Sequence, residues 1–142
     1  MSELVKTKTE NQISFISMDD GKANAMSVEM LEGLNAALDE AEQSGSVVIL
    51  SGRENVLSGG FDLGVFKSGD NAKILKMLTL GAELSHRILS YPKPVIAACT
   101  GHAVAMGTFL LLCCDYRVGA SGNSKFAANE VAIGLTVPYF AI

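Results

Sequence analysis

The sequence predicts an α/β domain built on a mostly parallel sheet, and three observations carry that prediction. Two continuous apolar runs, Val47-Val48-Ile49-Leu50 and Val95-Ile96-Ala97-Ala98, read as strands covered on both faces. A glycine-bearing turn follows each run. Segments of helical periodicity separate the runs, giving a strand–helix–strand–helix–strand–helix order. Such an order calls for right-handed crossovers between parallel strands.

The elements follow in order. Gln12 to Met18, rich in Ile and Phe, reads as a strand that ends at the Asp19-Asp20-Gly21 turn. Ser27 is placed as an N-cap, with Glu29 in the first turn, where the helix dipole favours an acid. Met30, Leu34, Leu38 and Ala41 recur at helical spacing, so Val28 to Gln43 is predicted to be an amphipathic helix stopped at Gly45. After the Val47 run comes a loop, Ser51 to Gly64, holding Gly52, Gly59, Gly60 and Gly64. Asn71 to Ser90 is a second helix, broken by Tyr91-Pro92-Lys93-Pro94. A short buried helix from about Met106 to Cys113 follows the third strand. Tyr116-Arg117-Val118 and Lys125-Phe126-Ala127 read as short strands, and a last helix is expected to start near Glu130.

Composition narrows the function. The chain has 142 residues, 49% of them hydrophobic, which suits one packed domain rather than disorder. Net charge is −4 with both signs interspersed, so the basic stripe of a nucleic-acid partner is missing. The longest apolar stretch, Val104 to Cys114, is too short to span a bilayer, and Met1 to Lys6 lacks an apolar signal core. Cys99, Cys113 and Cys114 make an odd count with two neighbours, a poor disulfide framework, and no Cys/His spacing suits zinc. They read as small buried hydrophobes in a reducing cytoplasm. The chain ends on Tyr139-Phe140-Ala141-Ile142, an apolar end that suggests a fragment or a covering partner.

The two glycine-bearing turns are the segments that point to chemistry. Neither is a dinucleotide fingerprint or a phosphate loop. Glycine lets backbone approach a ligand closely, and a helix opening after such a turn aims free N–H groups at it. Two such segments facing each other can donate to one oxygen, which is an oxyanion hole. From periodicity alone, both read first as ordinary strand-to-helix turns.

Three segments tip that balance. Gly21-Lys22-Ala23-Asn24-Ala25-Met26, Leu57-Ser58-Gly59-Gly60-Phe61-Asp62-Leu63 and the run from Lys93 through Gly107 occur in the order and spacing of the enoyl-coenzyme A hydratase/isomerase (crotonase) family. The resemblance runs from about residue 10 to the end of the chain. It implies a repeated β-β-α spiral, with residues 1–142 forming the N-terminal core of one such domain. The family's C-terminal helices, which close the acyl pocket and build trimers or hexamers, are not in these residues. By position, the resemblance implies that the backbone N–H groups of Phe61 and Met106 hold a thioester oxygen. It also implies that Lys22, Ala23, Asn24 and Ala25, with Ser58, Gly59 and Gly60, contact coenzyme A. The only cofactor implied is coenzyme A as part of an acyl-CoA thioester substrate. Where family members often carry Gly-Gly-Gly, this chain has Ala105-Met106-Gly107, which implies a differently shaped acyl pocket.

The same resemblance sharpens the carboxylate count. Hydration of a 2-enoyl thioester is served by two acid/base groups, which are two glutamates in the family's hydratases. Phe109 stands at the first of those positions and cannot titrate; Glu130 stands at the second. The segment around Asn129-Glu130 is similar to that of Δ3,Δ2-enoyl-coenzyme A isomerases. Double-bond migration needs one base, so an isomerase using Glu130 is implied ahead of a hydratase, another family reaction, or a non-catalytic acyl-CoA-binding subunit. Read without the family, Glu130 is a first-turn acid of a helix. Phe109 and Phe126 are expected beside it. Of the rest, His102 reads as an orienting hydrogen-bond partner, His86 as a surface residue, Asp62 as a helix cap and Asp115 as a structural acceptor.

Overall fold

The computed structural model describes residues 4–142. Met1 to Glu3, half of the segment read as lacking a signal core, lie outside the described residues. Among the described residues, no helix is long and apolar enough to cross a membrane.

The chain opens with β1 (Val5–Glu10) and β2 (Ile13–Met18), an antiparallel hairpin closed by Asn11 and Gln12. Both turn residues have positive φ, 50° and 62°, as a two-residue primed turn requires. Sequence reasoning missed β1. Its Lys-Thr-Lys-Thr-Glu run carries the charges that protect a sheet edge, and little apolar alternation. The Asn11-Gln12 pair was the available signal.

Next come β3 (Ala25–Met26), α1 (Val28–Gln43) and β4 (Val47–Ser51). Ser27 caps α1 as expected, its hydroxyl accepting from the Met30 N–H at 3.1 Å. The segment read as one loop instead holds β5 (Asn55–Ser58), β6 (Gly60–Phe61) and α2 (Leu63–Lys67). Asp62 caps α2, accepting from Gly64 N–H at 2.7 Å. Then follow α3 (Asn71–Leu89), β7 (Val95–Cys99), β8 (Gly101–Val104), α4 (Met106–Cys113), β9 (Tyr116–Gly119) and β10 (Phe126–Ala127). The helix expected from Glu130 is absent. A 3₁₀ turn, Val131–Ile133, ends at Gly134, whose φ of 77° stops it. A second 3₁₀ turn spans Tyr139–Ala141.

The main sheet runs β1-β2-β4-β7-β9, parallel except for the first pair. Its inner face is packed by α1 and α3: Leu34, Leu38, Leu84 and Ile88 meet Ile16, Val48, Leu50 and Val95. The strands are not covered on both faces as predicted. Val48 and Leu50 are buried while Val47 and Ile49 are half-buried, and Phe15 on the outer face is 41% exposed. Arg87 of α3 fastens α1, donating to the Asn35 carbonyl at 2.9 Å and to Asp39 at 2.6 Å. Asp115 accepts from the Val95 N–H at 2.8 Å, the structural role expected of it. A smaller parallel sheet, β10-β8-β5, and the pair β3-β6 stand beyond the ends of the main strands, and they carry the site.

Candidate active site

Two turns meet because glycines let them. Gly60, at φ 97°, opens β6; a Cβ there would lie 2.7 Å from Ala105 Cβ, 3.0 Å from the Val104 carbonyl oxygen and 3.4 Å from Met106 N. At Gly107 a Cβ would stand 2.6 Å from the Ser58 carbonyl oxygen. So the first turn of α4 rests directly on the Ser58–Gly60 backbone, and any side chain at either glycine would part them. The Asp62 N–H donates to the Met26 carbonyl at 3.3 Å. Neighbouring amides of a strand point to opposite sides, so the Phe61 N–H faces away from β3. Met106 is the first residue of α4, where an amide has no partner within the helix. The structure thus sets the Gly60–Phe61 turn against the first amide of α4.

Ala105, between them, has φ 51° and ψ −122°. Alanine adopts that region at a cost of order 1–3 kcal/mol, and such strain collects at functional turns. Sequence reasoning noted Ala105 only as a departure from glycine.

The carboxylate arrives from the other side. β10 pairs with β8, Phe126 beside Ala103, and the Ala105 N–H donates to the Ala127 carbonyl at 2.7 Å. His102 Nδ1 accepts from the Lys125 N–H at 2.9 Å, the orienting role expected for it, from an exposed position. His86 is exposed, also as expected. This pinning carries the chain to Glu130, whose carbonyl accepts from the N–H groups of Ile133 (3.0 Å) and Leu135 (2.9 Å). Glu130 is 5% exposed. Both carboxylate oxygens are enclosed without a hydrogen-bond partner, and so is Asn129 Oδ1. Its side chain caps nothing, and the turn after it is three residues long, so the helix-dipole reading of Glu130 does not hold. Buried polar groups without partners are uncommon and costly, so these oxygens contribute no hydrogen bond to the fold.

Glu130 lines a cavity of about 290 Å³ with Gly59, Phe61, Phe66, Leu78 and Ala105. The glycine-turn backbone and the carboxylate therefore face one space. Two expectations are corrected here. Phe109 does not line this cavity; it packs edge-to-face on Phe140, ring centroids 6.2 Å apart, and lines a separate cleft. Phe126 is 51% exposed on a third surface. The aromatic walls beside Glu130 are Phe61 and Phe66.

Lys22 to Ala25 form a loop organised by Asp20. Its carboxylate accepts from the N–H groups of Lys22 (2.7 Å), Asn24 (2.8 Å) and Ala25 (2.9 Å). Burial pushes the Asp20 pKa up, but those three donors and the nearby Arg53 guanidinium outweigh it and leave it below the ordinary value. Arg53 also donates to the Lys22 carbonyl at 2.8 Å. The loop is tied to the first glycine turn by a bond from the Gly59 N–H to the Ala23 carbonyl at 2.7 Å. Lys22 and Ala23 are exposed beside it. Asn24 and Ser58 need correction as ligand contacts, because both side chains are 0% exposed. Asn24 Nδ2 donates to the Met18 and Leu57 carbonyls at 3.1 Å each, and the Ser58 hydroxyl to the Asn24 carbonyl at 2.8 Å. They brace the loop instead of reaching a ligand. Of the thiols, Cys99 and Cys114 are buried, and burial pushes Cys114 up to about 12, the behaviour of packing residues.

A mostly parallel α/β frame thus carries two backbone turns in contact, with an enclosed carboxylate on the same cavity. Residues 8–142 match the family model described as enoyl-CoA hydratase/isomerase, and the chain belongs to that family. It is 33% identical over 132 residues to a probable enoyl-CoA hydratase of Bacillus subtilis, covering 91% of this chain and 50% of that protein. One Mycobacterium tuberculosis protein has solved structures described both as a probable enoyl-CoA hydratase and as an enoyl-CoA isomerase. The first is 49% identical, with TM-score 0.92, covering 97% of this chain and 58% of that one. The second is 48% identical, with TM-score 0.92, covering 99% and 61%. Human mitochondrial delta3-delta2-enoyl-CoA isomerase is 25% identical, with TM-score 0.89, over 96% of this chain and 55% of that one. The chain spans about half the length of the curated relatives it matches.

Proposed function

We propose that the protein shifts a carbon–carbon double bond in an acyl-coenzyme A thioester by one-base proton transfer. The observation that carries this reading is the single enclosed carboxylate, Glu130, in the cavity lined by Phe61, Gly59 and Ala105. Glu130 takes a proton from C2 of a 3-enoyl thioester, and the electron pair moves toward the thioester oxygen. The Phe61 and Met106 N–H groups stabilise that oxygen as charge develops on it. The protonated Glu130 then delivers the same proton to C4, leaving the 2-enoyl thioester. No other reactant is consumed. Glu130 is the only acid among the described residues that line this cavity, which supports one-base chemistry.

The Lys22–Ala25 loop and Gly59 form the surface on which the coenzyme would rest, with Lys22 available to a phosphate. Assembly as a trimer or hexamer and a cytoplasmic location belong to the same reading and rest on the family resemblance. The hydratase names of relatives support a second reading, addition of water across a 2-enoyl thioester.

The test is a side-by-side assay of purified protein on a 3-enoyl-CoA and on crotonyl-CoA. Isomerisation is expected to exceed hydration by at least about 10²-fold, the worth of a missing acid/base group. Dominant hydration would establish the second reading. Tight thioester binding with neither reaction would make the protein a non-catalytic acyl-CoA binder.

A further inference from the structure

Gly81 lies within α3, far in sequence from both turns, and is buried. Glycine is a poor helix former, so its presence inside a 19-residue helix asks for a reason. A Cβ built there would stand 2.5 Å from Phe61 Cζ, 2.7 Å from Phe61 Cε1 and 3.5 Å from Met106 Cε. The side chains of both proposed oxyanion donors therefore end at the same bare spot on one helix. Two contacts hold the seat: the Ser85 hydroxyl donates to the Gly81 carbonyl at 2.9 Å, and the Phe61 ring packs edge-to-face on Phe66, centroids 6.4 Å apart. A methyl at Gly81 would strike the far end of the Phe61 side chain, so it moves the Phe61 amide to the extent that Phe66 stops the ring from turning aside.

We infer that Gly81 is a positioning residue for the oxyanion hole, resting on the proposal that Phe61 and Met106 supply it. A large residue at each donor position is tolerated because α3 withholds a side chain where both of them end. The spacing of the two amides is set from a helix that itself contributes no donor.

The experiment compares Gly81→Ala, Phe61→Leu and the double variant. Leucine lacks the Cζ and Cε1 atoms that the new methyl would strike. Gly81→Ala is expected to lower kcat on a 3-enoyl-CoA by about 10²-fold with KM little changed, because a misplaced donor is felt most in the transition state. The double variant is expected to return to within roughly 3-fold of Phe61→Leu, the sign of a coupled pair. A second readout is the infrared carbonyl stretch of a bound, ¹³C-labelled saturated acyl-CoA. It should move toward the free-thioester frequency in Gly81→Ala and back again in the double variant. An unchanged kcat and carbonyl stretch in Gly81→Ala, or equal losses in the single and double variants, would overturn the inference. If Gly81→Ala alone does not fold, the double variant decides: a restored stretch supports the seat, and an unrestored one contradicts it. The stretch also reads out if no enoyl thioester is turned over, which separates failure of this inference from failure of the isomerase reading.

Discussion

Glu130→Gln is expected to lower turnover of a 3-enoyl-coenzyme A by about 10²- to 10⁴-fold, the usual worth of a positioned general base. Thioester affinity should be nearly unchanged, since the amide keeps the shape of the side chain. Stability should move the other way. Enclosing a carboxylate whose two oxygens have no partner is costly to the fold. Replacing it is expected to stabilise the fold by ~1 kcal/mol and raise Tm by a few degrees, roughly 3 °C. Residues kept for chemistry against the interest of stability show this opposition. Steady-state kinetics beside a thermal melt check it, and a variant that loses both activity and stability would assign Glu130 to the fold instead.

Gly60→Ala is expected to damage both properties at once. At φ 97° an alanine is strained, and its methyl would overlap Ala105 Cβ at 2.7 Å and crowd the Val104 carbonyl at 3.0 Å. Forcing the turns apart should cost about 3 kcal/mol of stability. It should also lower kcat by at least ~10²-fold, as loss of one oxyanion donor does. Adding Ala105→Gly removes the struck methyl and relieves the strained φ of 51°, so the double variant should recover ~1–2 kcal/mol. Denaturant midpoints of the single and double variants measure that recovery. Equal midpoints for Gly60→Ala and wild type would mean that the two turns do not depend on close approach.

The regular elements were legible where a period was long enough to read. Val28–Gln43 was anticipated to the residue because Ser27 marks its start, and a helix from about Met106 to Cys113 was anticipated from its apolar character. What escaped was short or decided by tertiary contact. β3, β5 and β6 are two to four residues long and are defined by pairing with distant chain, which no local pattern reveals. The helix predicted at Glu130 failed because Gly134 in a left-handed conformation ends the turn after three residues. The proposed amide donors and base came from a resemblance; that Phe61 and Glu130 line one cavity became visible only in the fold. The environment was misassigned: Phe109 and Phe126 stand on other surfaces, and Asn24 and Ser58, read as ligand contacts, are enclosed braces. Asp20 and Gly81 were missed: Asp20 acts through the backbone N–H groups of its own turn, and Gly81 through contact with Phe61 and Met106 from another element.

The shielding of Glu130 leads to the most direct measurement of the central claim. A 3-enoyl-coenzyme A carrying deuterium at C2 is converted in ordinary water, and the product is followed by mass spectrometry and proton NMR. If one enclosed carboxylate carries the label from C2 to C4, a substantial part of the deuterium appears at C4 of the 2-enoyl product. Complete loss of the label to solvent, or a 3-hydroxyacyl product in place of the 2-enoyl one, would contradict one-base transfer by Glu130.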